Sequence, residues 1–154
     1  MRAVKIGLGA MKHIERHHSA CTPTQLFDLV ADVERYPEFL PWVVAAKVFR
    51  RRNDRIWTDM TMGTSLLRKR FTTLALLKRP HRIEVSSDDP MFECFEQIWT
   101  FEGTEEGGTH VECQVDIKFR SRVLQTLIGV SFVERAKTMV RAYMREARRL
   151  CGVL

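Results

Sequence analysis

The chain has 154 residues, 45% of them hydrophobic, and a formal net charge of +6. This length supports one domain whose core needs no metal or disulfide to hold it. No stretch approaches the roughly 20 apolar residues of a membrane-spanning helix, which excludes an integral helical membrane protein. The positive charge favours an acidic partner: anionic lipid headgroups, RNA or an acidic protein.

We expect residues 1–154 to form that single domain, with residues 1–10 as a flexible leader. The leader is too short, and too interrupted by Lys5 and by glycines, to be a secretory signal. The four cysteines form no C-x-x-C pair, and no histidine stands at a metal-ligand spacing from any of them. We therefore predict reduced thiols in a cytoplasmic protein, without a metal site.

The first elements are a strand over Met11–Ser19 and a helix that begins at Thr22. Thr22 is a good helix N-cap, Pro23 suits the first helical position, and Gln25 completes a capping box. Apolar spacing carries this helix to about Ala31.

An aromatic and proline-rich segment, residues 32–42, follows this helix. Pro37 and Pro41 exclude a regular helix through it, because each proline lacks a backbone donor and restricts its predecessor. Its large apolar side chains are Tyr36, Phe39, Leu40 and Trp42. The apolar side chains of such a loop must pack against other residues or a ligand. The loop is therefore either a cover over one end of the core or the rim of an apolar ligand pocket.

From Val43 onward the side-chain pattern repeats every two residues, which predicts a run of strands joined by short turns. The last strand alternates most clearly, from Val111 to Phe119, so one of its faces is apolar and the other is wet. The predicted strands are Val44–Arg52, Arg55–Gly63, Leu66–Leu77, His81–Ser87, Cys94–Phe101 and His110–Phe119.

Residues 121–151 have helical character, with Ser121 as the N-cap. An apolar stripe runs through the second part and a basic row lies opposite, at Lys137, Arg141, Arg145 and Arg148. The first ten residues of this helical segment do not keep the register of the apolar stripe. Either the helix bends near Gly129, or an exposed apolar patch contacts lipid or a partner; the patch comprises Val123, Leu127 and Val130.

The predicted fold class is α+β, with a meandering antiparallel sheet of six to seven strands curved around a long C-terminal helix. Such a grip leaves room for a ligand between sheet and helix.

Three segments resemble one family: Asp-Val-x-x-Tyr-Pro-x-Phe-Leu-Pro-Trp at residues 32–42, Phe-Thr-Thr at residues 71–73, and the strand-to-helix corner at residues 119–125. The chain resembles the coenzyme Q-binding, START-like family, which is also grouped with polyketide cyclases. The resemblance implies a helix-grip fold and a hydrophobic tunnel for a ubiquinone-type lipid. It also implies a quinone chaperone that supports respiratory electron transport, located in the cytoplasm at the periphery of the inner membrane.

The tunnel predicted from this resemblance is lined by the loop aromatics and by apolar side chains of the sheet and helix. Met60 and Met62 are adaptable groups suited to flexible cargo. Either Lys69, where the family has an acidic residue, or a residue at the tunnel mouth is expected to meet the quinone head. Val43 replaces a cysteine expected from the family. The predicted lining residues are Tyr36, Phe39, Leu40, Trp42, Met60, Met62, Leu67, Lys69, Phe71, Trp99, Val115, Leu124, Leu127 and Ile128.

Two other functions stay open. Ribosome-association toxins resemble the same family, and the basic row from Lys137 to Arg148 would suit RNA or, equally, an anionic membrane surface. Cyclases share the fold, but we find no nucleophile elbow, phosphate loop or acid–base pair, so we expect a binding protein that is not an enzyme and requires no cofactor.

Overall fold

The computed structural model describes residues 10–152, so residues 1–9 of the predicted leader lie outside the described part. The strands and helices follow the predicted order with small shifts at their ends. The strands are β1 (Met11–Ser19), β2 (Val43–Arg52), β3 (Arg55–Gly63), β4 (Arg68–Lys78), β5 (Arg82–Ser86), β6 (Phe92–Gly103) and β7 (Thr109–Phe119). The helices are α1 (Pro23–Ala31), α2 (Tyr36–Phe39), α3 (Arg122–Gly129) and α4 (Phe132–Leu150).

The seven strands form one antiparallel sheet in the order β1-β7-β6-β5-β4-β3-β2. Its inner face, defined here as the side that α4 covers, carries Trp99 of β6 paired with Cys113 of β7. Tyr143 of α4 contacts Trp99 there, with ring centroids 4.8 Å apart. The predicted α+β helix-grip fold is thereby confirmed.

The predicted helix caps are present in the structure. The Thr22 hydroxyl accepts a hydrogen bond from the Gln25 backbone N–H, and the Gln25 side chain accepts one from the Thr22 N–H. Ser121 caps α3 through the Leu124 N–H. The bend is confirmed too, since α3 ends at Gly129 and α4 begins at Phe132.

Two predictions were wrong. The loop is less irregular than expected, because a 3₁₀ turn over Val33–Arg35 leads into α2, and Pro37 occupies an early position of that helix, where no N–H is needed. The cysteines are not all reduced, because Cys21 and Cys151 form a disulfide between residues 130 apart in sequence. It joins the start of the α1 segment to the end of α4.

The two ends of the sheet differ in how they are covered. At one end, which we call the closed end, α1 packs against β5 and β6, with Phe27 against Phe101. At the other, the open end, β3 and β7 finish while β4 and β6 begin, and α3 follows β7. The short β5 does not reach the open end, since it pairs only with residues 74–78 of β4 and 96–100 of β6.

Candidate ligand-binding site

Solvent exposure along the inner face rises from the closed end to the open end. On β7, Val111 and Cys113 are 2% and 1% exposed and Val115 is 7% exposed, whereas Ile117 and Phe119 are half-buried. On β6, Trp99 and Phe101 are sealed while Phe95 is half-buried. The interior is therefore closed at one end and leaves apolar surface accessible at the other.

Four phenylalanines cluster at the open end. Phe92 lies at the centre, with ring centroids 5.1 Å from Phe71, 5.0 Å from Phe95 and 5.3 Å from Phe119. Three strands supply them, β4, β6 and β7, across the gap that the short β5 leaves. Their tilted and edge-on contacts are typical of aromatic packing and form an apolar floor for this end of the interior.

The neighbouring strands place the predicted methionines and the lysine on the same face. Met60 pairs with Phe71 and Met62 pairs with Lys69 across β3 and β4. Met60 is buried and Met62 is half-buried, while Lys69 is exposed at the edge of the open end. Leu67, in the β3–β4 loop, is half-buried. The structure thus brings these predicted residues together, with Lys69 at the exposed edge of the open end.

The aromatic loop covers one end of the core and leaves two of its rings partly accessible. Tyr36 and Leu40 are buried, and the Tyr36 hydroxyl donates to the Val30 carbonyl, so this part covers the core. Phe39 and Trp42 are half-buried at the rim.

Trp42 is held there by backbone and side-chain contacts. It adopts a left-handed conformation with φ of 67°. Its carbonyl accepts from the Gly63 N–H at 2.8 Å, and the Arg135 guanidinium lies 5.1 Å from its ring centroid. These contacts fix the rim where β2 begins.

Helix α3 has two different faces at the open end. Leu124 and Ile128 are half-buried on its inner side. Val123, Leu127 and Val130 are 75%, 56% and 87% exposed, so Leu127, which we predicted as a lining residue, points away from that side. The bend at Gly129 therefore did not remove the exposed apolar patch. We call these three residues the α3 patch.

Residues 20–144 match the family described as polyketide cyclase / dehydrase and lipid transport. The chain belongs to this family. It is 31% identical over 141 residues to ribosome association toxin RatA of Pseudomonas aeruginosa, covering 91% of this chain and 98% of the toxin. It is 28% identical over 133 residues to coenzyme Q-binding protein COQ10 homolog B, mitochondrial, of Xenopus laevis, covering 83% of this chain and 54% of that protein.

Solved structures agree on the fold. A START superfamily protein from Mycobacterium smegmatis superposes with a TM-score of 0.75 at 16% identity, covering 90% of this chain and 98% of that one. The chain thus has relatives named for ribosome association and for coenzyme Q binding, and the description of its own family names polyketide cyclases and lipid transport.

A polar row on β1 was missed by the sequence reasoning. His13, Glu15 and His17 lie on the inner face, opposite Val115, Cys113 and Val111 of β7. Each histidine has Nε2 within 2.9 Å of a Glu15 carboxylate oxygen.

The pKa of Glu15 reflects this arrangement. Burial acts to raise it, but the hydrogen bonds with the two histidines prevail and hold the pKa below its usual value. The alternation of β1 was the signal for this row, since residues two apart share a face.

The predicted basic row of α4 is only partly free. Arg141, Arg145 and Arg148 are exposed, while Lys137 is half-buried. Arg145 also lines a surface groove of about 450 Å³ between α4 and the loop; its other lining residues are Pro37, Glu38, Phe39, Leu40, Pro41, Thr138 and Ala142. Among residues 10–152, no helix is long and apolar enough to cross a membrane.

Proposed function

We propose that the protein binds an isoprenoid quinone of the ubiquinone type between the open end of the sheet and helices α3 and α4. It holds this lipid as a chaperone supporting respiratory electron transport and does not transform it. The observation that carries the proposal is the exposure gradient of the inner face, from Val111 at 2% to the half-buried Phe119.

Apolar side chains that remain half-buried in the free protein gain from being covered by an apolar chain. Met62, Leu67, Leu124 and Ile128 surround the open end with such surface. Each buried CH₂ group contributes about 0.8 kcal/mol, so a few isoprene units supply substantial binding free energy. Methionines and a four-phenylalanine floor adapt to a flexible chain better than a rigid pocket would.

Lys69, the charged member of the predicted lining residues, supplies orientation. Lys69 lies on the inner face, two residues from Phe71, and its ammonium group can donate to a quinone carbonyl. Because Lys69 is exposed, we place the quinone head at the mouth and the tail along the phenylalanine floor. The relative named as a coenzyme Q-binding protein supports this choice of lipid class.

A lipid carrier must reach a membrane to load. The α3 patch lies at the open end, and the exposed Arg120 and Arg122 stand at the start of α3. An apolar face with adjacent arginines is typical of helices that lie at an anionic bilayer surface. We place this docking at the cytoplasmic surface of the inner membrane, where the open end would face the bilayer.

Organic extraction and mass spectrometry of protein purified from a quinone-producing host test the proposal. We expect a near-stoichiometric quinone peak, lost in Leu124→Glu, which puts a charge on the inner side of α3. Ile14→Glu is the matched control, since Ile14 is 45% exposed on the outer face of β1. Met62→Trp, which fills the site with apolar bulk, should lower quinone content in a protein whose circular dichroism is unchanged.

Three outcomes would overturn the proposal. These are wild-type protein that folds but carries no lipid, equal lipid loss in Leu124→Glu and Ile14→Glu, or full lipid retention in both Leu124→Glu and Met62→Trp.

A second function is favoured by a separate observation. The RatA relative matches across 98% of its own length, and the net charge of +6 suits a ribosomal surface. Cosedimentation with ribosomal subunits across a salt series tests this function. Binding that survives near-physiological salt, in protein that carries no quinone, would favour ribosome association over lipid transport.

A further inference from the structure

The outer face of the sheet, which no helix of the described residues covers, is basic over strands β2 to β4. Residues of this face alternate with the buried inner ones, such as Met60 and Phe71. Among the residues of these three strands, Asp59 is the acidic side chain on this face. The exposed basic side chains are Lys47, Arg50, Arg52, Arg55, Arg68, Arg70 and Lys78.

Charge is sorted across this face. The acidic side chains at the outer positions of β6 and β7 are Glu96, Glu102, Glu112 and Asp116, and Lys118 is the lysine among these positions. Lys12 and Arg16 of β1 pair with Asp116 and Glu112 respectively. On the basic half, Arg70 pairs with Asp59 and Lys78 pairs with Glu84. The other basic side chains of this half form a positive surface, and we call the half the basic sheet face.

One row of side chains crosses four strands of the basic sheet face. Arg50 pairs with Trp57, Trp57 with Leu74, and Leu74 with Ser86. The Arg50 guanidinium carbon lies 4.7 Å from the Trp57 ring centroid. Trp57, Leu74 and Ser86 also line a surface groove of about 430 Å³, together with Thr72, Thr73, Ser87 and Asp88. The groove thus combines an aromatic ring, hydroxyl groups and the Asp88 carboxylate, and the Arg50 guanidinium stacks on the same ring.

The next row places like charges opposite each other. Arg52 and Arg55 are directly paired across the β2–β3 hairpin, and both are exposed. Like charges in this position destabilise a sheet. A pair that costs stability and lies beside an aromatic groove is explained by an anionic partner that neutralises it.

From these features we infer that the basic sheet face binds single-stranded RNA. A base stacks against Trp57 and Arg50, and the phosphates lie along Arg52 and Arg55. A lipid bilayer fits less well, because Trp57 is half-buried in a depression and cannot insert. The basic row of α4 is also a weaker candidate, since Lys137 is half-buried.

Fluorescence anisotropy of a labelled 12-nucleotide uridine-rich RNA, measured with the full chain across a salt series, tests this inference. Arg52→Gln/Arg55→Gln should weaken binding about tenfold and reduce the slope of log K against log salt by about 1.4, roughly 0.7 for each lost phosphate contact. The same variant should melt no lower than wild type, because it removes a like-charge pair. Trp57→Leu should weaken binding at least about fivefold through lost stacking.

Arg141→Gln/Arg145→Gln makes the same change in net charge on α4, away from the sheet. We expect this variant to change RNA affinity less than about twofold once the small effect of the lower net charge is subtracted. Equal losses from the two double variants, loss only from the α4 pair, or no RNA binding by wild type would each overturn the inference. The inference would also be overturned if the Arg52→Gln/Arg55→Gln variant bound anionic vesicles more weakly than wild type but bound RNA equally well. The quinone content of each protein is a separate readout, so failure here leaves the lipid proposal intact.

Discussion

The rings of Tyr36 and Tyr143 meet at right angles, with their centroids 5.4 Å apart. Tyr36 belongs to the aromatic loop and Tyr143 to the middle of α4, and they are 8% and 2% exposed. Tyr143 also contacts Trp99 of the sheet. This pair therefore joins loop, long helix and sheet at the point where the sealed half of the interior begins.

The tyrosine pair predicts the alkaline behaviour of the protein. Burial raises the pKa of both hydroxyls well above 10, and the chain has only these two tyrosines. The folded state therefore keeps its protons while the unfolded chain loses them above about pH 10, so stability falls as pH rises beyond that value. Absorbance at 295 nm should show no tyrosinate until far-ultraviolet circular dichroism reports unfolding. Tyrosinate appearing in the folded protein near pH 10 would contradict this prediction.

Glu146 links the loop to α4 and predicts an acid-dependent loss of stability. Its carboxylate accepts from Arg149 Nε at 2.6 Å and from Arg35 Nη2 at 2.8 Å, and these arginines lower its pKa from the usual 4.5. Its stabilising effect is thus present above about pH 4.5 and is lost as pH falls through the lowered value. Glu146→Gln should cost about 1–3 kcal/mol at neutral pH.

The measurement is urea unfolding of wild type and Glu146→Gln at pH 7 and pH 3. The difference between them should shrink as the pH falls, because the wild-type carboxylate takes up its proton as the pH passes through the lowered pKa. Glu38→Gln is the control, because Glu38 is 64% exposed, lies 3.5 Å from Arg35 and should cost less than about 0.5 kcal/mol. An equal loss of unfolding free energy in Glu38→Gln and Glu146→Gln would show that the burial of Glu146 and its two arginine contacts add no stability.

Much of the fold was predictable because its signals are local. The alternation of β7, the Thr22 capping box, the Ser121 cap and the register change at Gly129 each depend on neighbours within a few residues. These signals placed the elements correctly, and the apolar stripe of α4 required a curved sheet beneath it.

The features that could not be predicted from the sequence depend on contacts between residues that are far apart along the chain. The disulfide joins residues 130 apart, so spacing could not pair Cys21 with Cys151. The basic sheet face required the register of β2, β3 and β4, in which Arg50 meets Trp57 and Arg52 meets Arg55. Leu127 is a different case, because helical periodicity had already grouped it with Val123 and Val130 on the exposed side. The family resemblance made it a lining residue, and the structure agrees with the periodicity.

The disulfide predicts a difference between the cysteines. Burial raises the pKa of the Cys113 thiol to about 12, so it should react slowly in the folded state. Denatured protein that has never met a reductant should titrate two thiols, and four after reduction. Reduction should cost about 2–4 kcal/mol, since the bridge closes most of the chain into a loop. Cys94→Ser is the control and should keep the full sensitivity to reductant; four thiols before reduction would contradict the bridge.

The α3 patch predicts that membrane binding and folding stability can be separated. Val123→Ser/Leu127→Ser removes apolar side chains that are 75% and 56% exposed, so it should leave the melting temperature nearly unchanged. It should strongly reduce flotation with vesicles containing phosphatidylglycerol, because the inserted apolar area is lost while Arg120 and Arg122 provide only about 1 kcal/mol each. Ile14→Ser/Phe49→Ser makes the same chemical change on two other exposed apolar residues, 45% and 52% exposed, and should float like wild type. If the two double variants float equally well, the α3 patch does not mediate membrane docking.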